Sequence, residues 1–326
     1  MNNIDSKTLI NLFSVMKKIR LFEDGVVPLI SDPPQIICPV HLYTGQEAIA
    51  AGVCENLSDK DYVYSTHRSH GHYIAKGGSI DKLMAEMFTK VTGSSKGKGG
   101  SMHLCDPAIG LPGSPIIVAS SIPIAVGSAL AFSMNNNNNV SVVFFGDGAM
   151  DEGVVYESFN IAVLRKLPII FICENNLLAT HVRLEDHLGD IDMAKKAEAF
   201  GVNTYNINGN DVNQVYNISK RAIQHAKEGG GPSFIECATY RFLGHVGPSD
   251  ETNIGIRTKN ELAAWRKKCP ILNLEKQLIK VGLLNKNEIK EIEKQIRDEV
   301  EQSIILAKNS PYPNIAKNDH ELVFCN

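Results

Sequence analysis

Apolar residues along the chain follow two alternating rhythms. Residues 140–145 (VSVVFF) and 169–173 (IIFIC) are short, nearly unbroken apolar runs rich in β-branched residues, the pattern of strands buried on both faces. Between them Val154, Val155, Phe159, Ala162 and Val163 recur at helical spacing, which predicts a helix over 151–166. A strand, a crossover helix and a second strand form a right-handed unit with parallel strands. The same reading predicts an amphipathic helix over 5–24, with Leu9, Leu12, Phe13, Met16 and Ile19 on one face, an Ala-rich helix ending near 56, and helices over 80–91, 124–134, 191–200 and up to 227. Further strands are expected at 62–65, 203–207 and 234–242. From residue 258 the chain is helical and increasingly charged, with Ile289, Ile292, Ile296, Val300, Ile304 and Ile305 on an inner face, and the last dozen residues read as loosely structured. The fold class is α/β with a mainly parallel sheet and helical extensions at both ends.

Composition adjusts this picture only a little. A length of 326 residues permits one large domain or two small ones. Without repeats or a shift in pattern we expect a single domain over 1–326, with a core of about 35–255 and helical extensions at 1–30 and 258–326. Hydrophobic content of 43% supports a sizeable core, and a spread-out net charge of −3 leaves no nucleic-acid footprint. There is no apolar run long enough for a transmembrane helix and no signal-peptide pattern, so no membrane association and a cytoplasmic location are expected. The seven cysteines (Cys38, Cys54, Cys105, Cys173, Cys237, Cys269 and Cys325) are odd in number and not closely paired, which suggests reduced thiols rather than a disulfide scaffold.

The candidate chemistry sits where the two apolar runs stop. The first ends in Gly146-Asp147-Gly148 and the second in Glu174-Asn175-Asn176, at the carboxyl ends of parallel strands, where open α/β sheets bind ligands. Asp147 offers a carboxylate and Asn176 an amide oxygen, hard ligands suited to Mg²⁺ or Ca²⁺. The flanking glycines let backbone approach a phosphate, and the following helix presents an amino end that favours an anion. A tight turn with a capping Asp explains GDG alone; the Asn pair beyond a predicted crossover favours the ligand site. Other motifs are weaker. His67, His70 and His72 do not have a standard zinc spacing and have no Cys nearby. The Gly- and Lys-rich stretch 93–101 is not a P-loop and reads as a flexible loop, and the five-Asn run 135–139 as a polar connection.

GDG followed by NN resembles the diphosphate-binding motif of thiamine-diphosphate enzymes, with its three-layer cofactor-binding fold. The text from about 20 to 265 is similar to one family in particular: the alpha subunit of the decarboxylating first component of 2-oxoacid dehydrogenase complexes, of pyruvate or acetoin type. His41-Leu42-Tyr43-Thr44-Gly45-Gln46-Glu47-Ala48 matches its HLxxGQEA signature, which implies that His41 faces the cofactor pocket. Residues 67–71 match its Tyr-Arg-x-His-Gly loop, implying that Arg68 binds diphosphate and His70 acts at the active site; His67 stands where the family usually has Tyr. Arg241 and His245 fit Tyr-Arg-x-x-Gly-His, so Arg241 would hold diphosphate and His245 would lie at the reacting centre. Val118 corresponds to a pyrimidine contact, while Ile116 and Ala119-Ser120 depart from the family's Gly and Gly-Ala, and Pro39-Val40 replaces an expected pair with an aromatic residue. Gly146, Asp147, Gly148, Ala149 and Asn176 line the diphosphate end, and Mg²⁺ takes Asp147, Asn176 and the carbonyl of Leu178. The Gly-rich loop ending at Met102-His103 would fold over the entrance and be ordered by cofactor. Val246 occupies the place of the regulatory serine of eukaryotic pyruvate dehydrogenases, so regulation by phosphorylation is not expected there.

The resemblance implies oxidative decarboxylation of a pyruvate-like 2-oxoacid, or cleavage of acetoin, with thiamine diphosphate and Mg²⁺. The acyl fragment would pass to the lipoyl disulfide of an acyltransferase, an oxidoreductase reaction at an oxo group. The pyrimidine-binding domain that such enzymes need is not accounted for in this chain. A separate beta subunit in an α₂β₂ heterotetramer would supply it. The departures at Pro39, His67, Ile116 and Ser120 keep open a two-subunit carboligase or transferase without a lipoyl partner. A non-catalytic homologue that only binds cofactor or partner is the remaining alternative.

Overall fold

The computed structural model describes residues 4–314. The last dozen residues and Cys325 lie outside them. Five parallel strands form the central sheet: β1 (Tyr62–Tyr64), β2 (Ser141–Gly146), β3 (Ile169–Asn175), β6 (Asn203–Asn208) and β7 (Ser233–Ala238), in the order β1-β2-β3-β7-β6. The short segments β4 (Leu178–Ala179) and β5 (Val182–Arg183) make a separate antiparallel ladder just beyond β3.

Strand alternation explains the layers. Val143, Phe145, Phe171, Cys173 and Phe234 face one side, where they pack under helices Ser121–Met134, Gly153–Leu164 and Met193–Glu198. Val142, Phe144, Ile170, Ile172, Ile235 and Cys237 face the other, against helices Ser6–Ile30, Glu47–Cys54, Ile80–Met87 and Val212–Lys227. Both faces are covered, as the continuous apolar runs require; burying one such side chain contributes about 1.5–3 kcal/mol. The helices Pro270–Lys280 and Lys286–Asn309 pack on the amino-terminal helix, and Leu262 of Lys259–Arg266 joins the same hydrophobic cluster. Residues of the two extensions therefore share clusters with the domain core.

Several element bounds differ from the sequence expectation for local reasons. The first helix runs on to Ile30 because Val26 and Leu29 extend its buried stripe. The crossover helix starts only at Gly153, since Asp147–Asp151 first makes a 3₁₀ turn and Glu152 is extended. The strand expected over 234–242 stops at Ala238, where the amide of Thr239 reaches the carbonyl of Asn175 and the chain bends across the sheet end. The six described cysteines carry free thiols. No helix among the described residues is long and apolar enough to cross a membrane.

Candidate functional site

The loops leaving β1, β2, β3 and β7 converge at the carboxyl end of the sheet around a cleft of about 280 Å³. Its walls include His67, Arg68, Val118, Asp147, Asn176 and Arg241, together with Gly146, Gly148, Ala149, Leu178 and His245; of the predicted residues, His41 and His70 are not among those lining it. Backbone strain concentrates here. Ala119, Leu177, Thr180 and Glu251 hold φ of +62°, +69°, +55° and +58°. Such conformations cost roughly 1–3 kcal/mol each in non-glycine residues and persist where surrounding contacts impose them.

The polar atoms of the cleft are buried and incompletely paired. Asp147 is 1% exposed and its Oδ2 has no partner. Burial raises its carboxyl to about 6, against the opposing pull of His187 and Arg241. The amide nitrogen of Asn176 donates to Gln46 Oε1 at 3.1 Å, which aims its orphaned Oδ1 away from that bond. Arg241 donates from Nη2 to the carbonyls of Leu178 (3.4 Å) and Thr180 (3.1 Å), leaving Nε and Nη1 without acceptors. Arg68 gives its guanidinium to the carbonyls of Leu42 (2.5 Å) and His245 (3.1 Å); burial, then the neighbouring Arg241, lowers it to about 9. Two buried guanidinium groups and orphaned acceptor oxygens together fit an anion accompanied by a hard cation. A Cβ added at Gly146 would meet nothing within 4 Å, so the backbone there faces open space; one at Gly148 would meet the Ala179 side chain at 2.9 Å.

The histidines divide into two groups. His41 meets His67 and His245 edge to face, with ring centroids 4.6 and 5.0 Å apart, and His67 lies tilted to His245 at 5.4 Å. Burial first, then the charge of Arg68, holds them at about 4, 2 and 3, so all three are neutral at pH 7. His70 is elsewhere. It is fully buried, with Nδ1 on Glu23 (3.1 Å) and Nε2 on Ser101 Oγ (2.8 Å), and it does not line the cleft. Unpredicted His72 behaves alike, held by Ser65 (2.7 Å) and Glu174 (3.0 Å).

Three contributors went unassigned in the sequence. Gln46 lies inside the HLYTGQEA run, and its amide role was there to be read. Glu251 accepts from the His245 amide at 2.8 Å and sits 3.1 Å from His181, a loop-to-loop contact without a local signal. Glu86 is the third. Its buried carboxylate accepts the amides of Ser95 (2.7 Å), Gly97 (2.9 Å), Gly99 (2.6 Å) and Gly100 (3.3 Å). The Gly-rich loop, expected to be ordered by cofactor, is thus wrapped around a side chain of its own protein. Its glycines are needed there, because a Cβ at Gly93 would lie 2.2 Å from the Glu86 carboxylate.

A parallel α/β sheet with buried arginines and a strained, orphan-rich rim at its carboxyl end defines a ligand-binding α/β protein. Comparison makes this particular: the chain belongs to the dehydrogenase E1 component family, which it matches over residues 23–316. It is 40% identical over 305 residues, 93% of its length and 89% of the relative's, to the alpha subunit of acetoin:2,6-dichlorophenolindophenol oxidoreductase of Bacillus subtilis. It is 36% identical to the pyruvate dehydrogenase E1 component subunit alpha of Porphyra purpurea, over 97% of the chain and 92% of the relative. The chloroplastic subunit alpha-3 of Oryza sativa is 39% identical over 93% of the chain and 73% of its own length.

Proposed function

We propose that this chain is the alpha subunit of a two-subunit, thiamine-diphosphate- and Mg²⁺-dependent enzyme. It would decarboxylate a pyruvate-like 2-oxoacid, or cleave acetoin, and pass the acyl fragment to the lipoyl group of an acyltransferase. The observation that carries this is the pair of orphaned oxygens, Asp147 Oδ2 and Asn176 Oδ1, beside the unsatisfied guanidinium of Arg241. The names of the acetoin and pyruvate dehydrogenase relatives support the reaction class.

Thiamine diphosphate, when bound, supplies a nucleophilic carbon and an electron sink. The chain's own residues do the rest. Asp147, Asn176 and the Leu178 carbonyl would ligate Mg²⁺, and Arg68 and Arg241 would take diphosphate oxygens. Gly146, Gly148 and Ala149 keep backbone close to that end, while Val118, half exposed on the opposite wall, would meet the pyrimidine. His245 and His41, neutral at pH 7, can accept or return a proton at the reacting end, and His67 would take the place of the family's tyrosine toward the diphosphate. His70, tied to Glu23 and Ser101, positions the segment that carries Arg68 rather than touching substrate. The beta subunit completes the pocket in an α₂β₂ assembly.

Co-expression with a candidate beta subunit and a screen of 2-oxoacids and acetoin with an artificial electron acceptor tests the reading. Turnover should require both chains, thiamine diphosphate and Mg²⁺. Substantial decarboxylation by this chain alone would refute the subunit assignment. A folded pair that turns over neither acetoin nor any 2-oxoacid would refute the reaction.

A further inference from the structure

The cluster of His41, His67 and His245 presents one ring nitrogen from each residue, all within 4.8 Å of one another. The nitrogens come from three separate loops, before helix Glu47–Cys54, after β1 and after β7. No described residue gives any of the three rings a hydrogen bond, whereas His70 and His72 have both nitrogens engaged. His41 is 7% exposed and its Nδ1 is buried without a partner. An imidazole nitrogen orphaned at that depth costs free energy unless something outside the chain meets it.

We propose that in the cofactor-free chain His41, His67 and His245 form a second metal site, for a borderline transition ion of the Zn²⁺ class, with its fourth position open to an anion, an occupancy that withholds the three rings from the roles proposed for them above. Imidazole suits zinc, cobalt, nickel and copper and is a poor ligand for Mg²⁺, so this site is chemically distinct from the oxygen pair at Asp147 and Asn176. Three nitrogens around tetrahedral Zn²⁺ lie about 3.4 Å apart, at metal distances of about 2.0–2.1 Å. The rings close to that spacing by side-chain rotation, which breaks no hydrogen bond. Arg68 and Arg241 stand close by and repel a bare dication, as they repel a proton on each ring. They also favour an anion in the fourth position, so the ion is held together with its counter-charge. With tyrosine at 67 the set would fall to two nitrogens.

Titration of the full-length chain with CoCl₂ and with ZnCl₂, in the absence of thiamine diphosphate, tests this. One Co²⁺ per chain should bind, with a visible ligand-field band typical of nitrogen coordination that shifts on adding azide, and ZnCl₂ should displace it. His67→Tyr and His41→Gln should each weaken binding by about tenfold or more, while Asp147→Asn leaves it unchanged. His245→Gln serves if either variant fails to fold. Sub-stoichiometric binding, equal affinity in folded His67→Tyr, or loss in Asp147→Asn alone would each overturn the proposal.

Discussion

The protein gathers two sets of histidines about the same sheet, one fully buried and one partly buried, and they are treated in opposite ways. Beneath the sheet end, His70 and His72 have both ring nitrogens bonded, to Glu23 and Ser101 and to Ser65 and Glu174. Tyr43 joins this network by donating its hydroxyl to Glu174. At the cleft, His41, His67 and His245 have no hydrogen-bond partner for their rings among the described residues, and burial and two arginines keep them uncharged. A satisfied ring fixes a loop in place. An unsatisfied ring in a cleft is held ready for something the chain does not itself supply.

The largest effect is expected on the satisfied side. Glu23 is fully buried and accepts from the Tyr43 amide (2.6 Å), the Thr44 hydroxyl (2.7 Å) and His70 (3.1 Å). Glu23→Ala strands all three donors, and breaking a buried hydrogen-bonded charge costs about 3–5 kcal/mol. His245→Gln should cost less than about 1 kcal/mol in the ligand-free chain, because no ring bond is lost. Urea unfolding of both variants measures the contrast. Equal losses would mean that the unpaired rings are structural after all.

That contrast also marks what could be read beforehand. The α/β class, the crossover unit and the parallel β2–β3 pair were legible, because buried strands need continuous apolar runs and the linking helix needs its own period. The oxygens at the carboxyl ends were legible because strand ends fix where loops begin, whereas the two arginines were read only through the family resemblance. The roles of the histidines were not. His67, His70 and His72 lie within six residues, yet one faces the cleft and two turn inward. The choice depends on Glu23, Ser101 and Glu174, which are distant in sequence. The same holds for Glu86, whose four loop amides follow nine to fourteen residues after it without any motif. Long-range hydrogen bonding has no period, so it leaves no pattern in a single sequence.

On the unsatisfied side the largest response should come from Asp147. Asp147→Asn keeps the shape and removes the charge, so the proposed Mg²⁺ site would lose its carboxylate while both arginines remain. We expect Mg²⁺-dependent binding of thiamine diphosphate to the subunit pair to weaken by about 100-fold, at the upper end of what altered metal environments cost. The carboxyl, raised to about 6 by burial, must also lose its proton to bind metal. Mg²⁺ binding to the wild-type pair should therefore strengthen as pH rises through about 6, and Asp147→Asn should abolish that dependence. Calorimetry at pH 5.5 and 7.5 reads both, and unchanged binding in the variant would remove Asp147 from the site.

The smallest effect tests whether the cleft rings are as shielded as their surroundings imply. A histidine whose folded value is depressed below 6.5 contributes stability that is fully present above 6.5 and is lost as pH falls toward the folded value. His41, His67 and His245, at about 4, 2 and 3, therefore make the ligand-free chain progressively acid-labile from 6.5 downward, to about 4 for His41 and to about 2 for His67. Asp147 works in the opposite sense, because its raised carboxyl holds a proton near pH 5 that the unfolded chain has released. His67→Tyr removes one of the three histidine contributions and leaves Asp147 in place. Proton uptake on unfolding at pH 5 should then fall by about one, and the stability of the variant should depend less steeply on pH than that of the wild type. Urea titrations from pH 4.5 to 7 give the slope; an identical slope in the two proteins would mean that His67 titrates as freely in the folded chain as in the unfolded one.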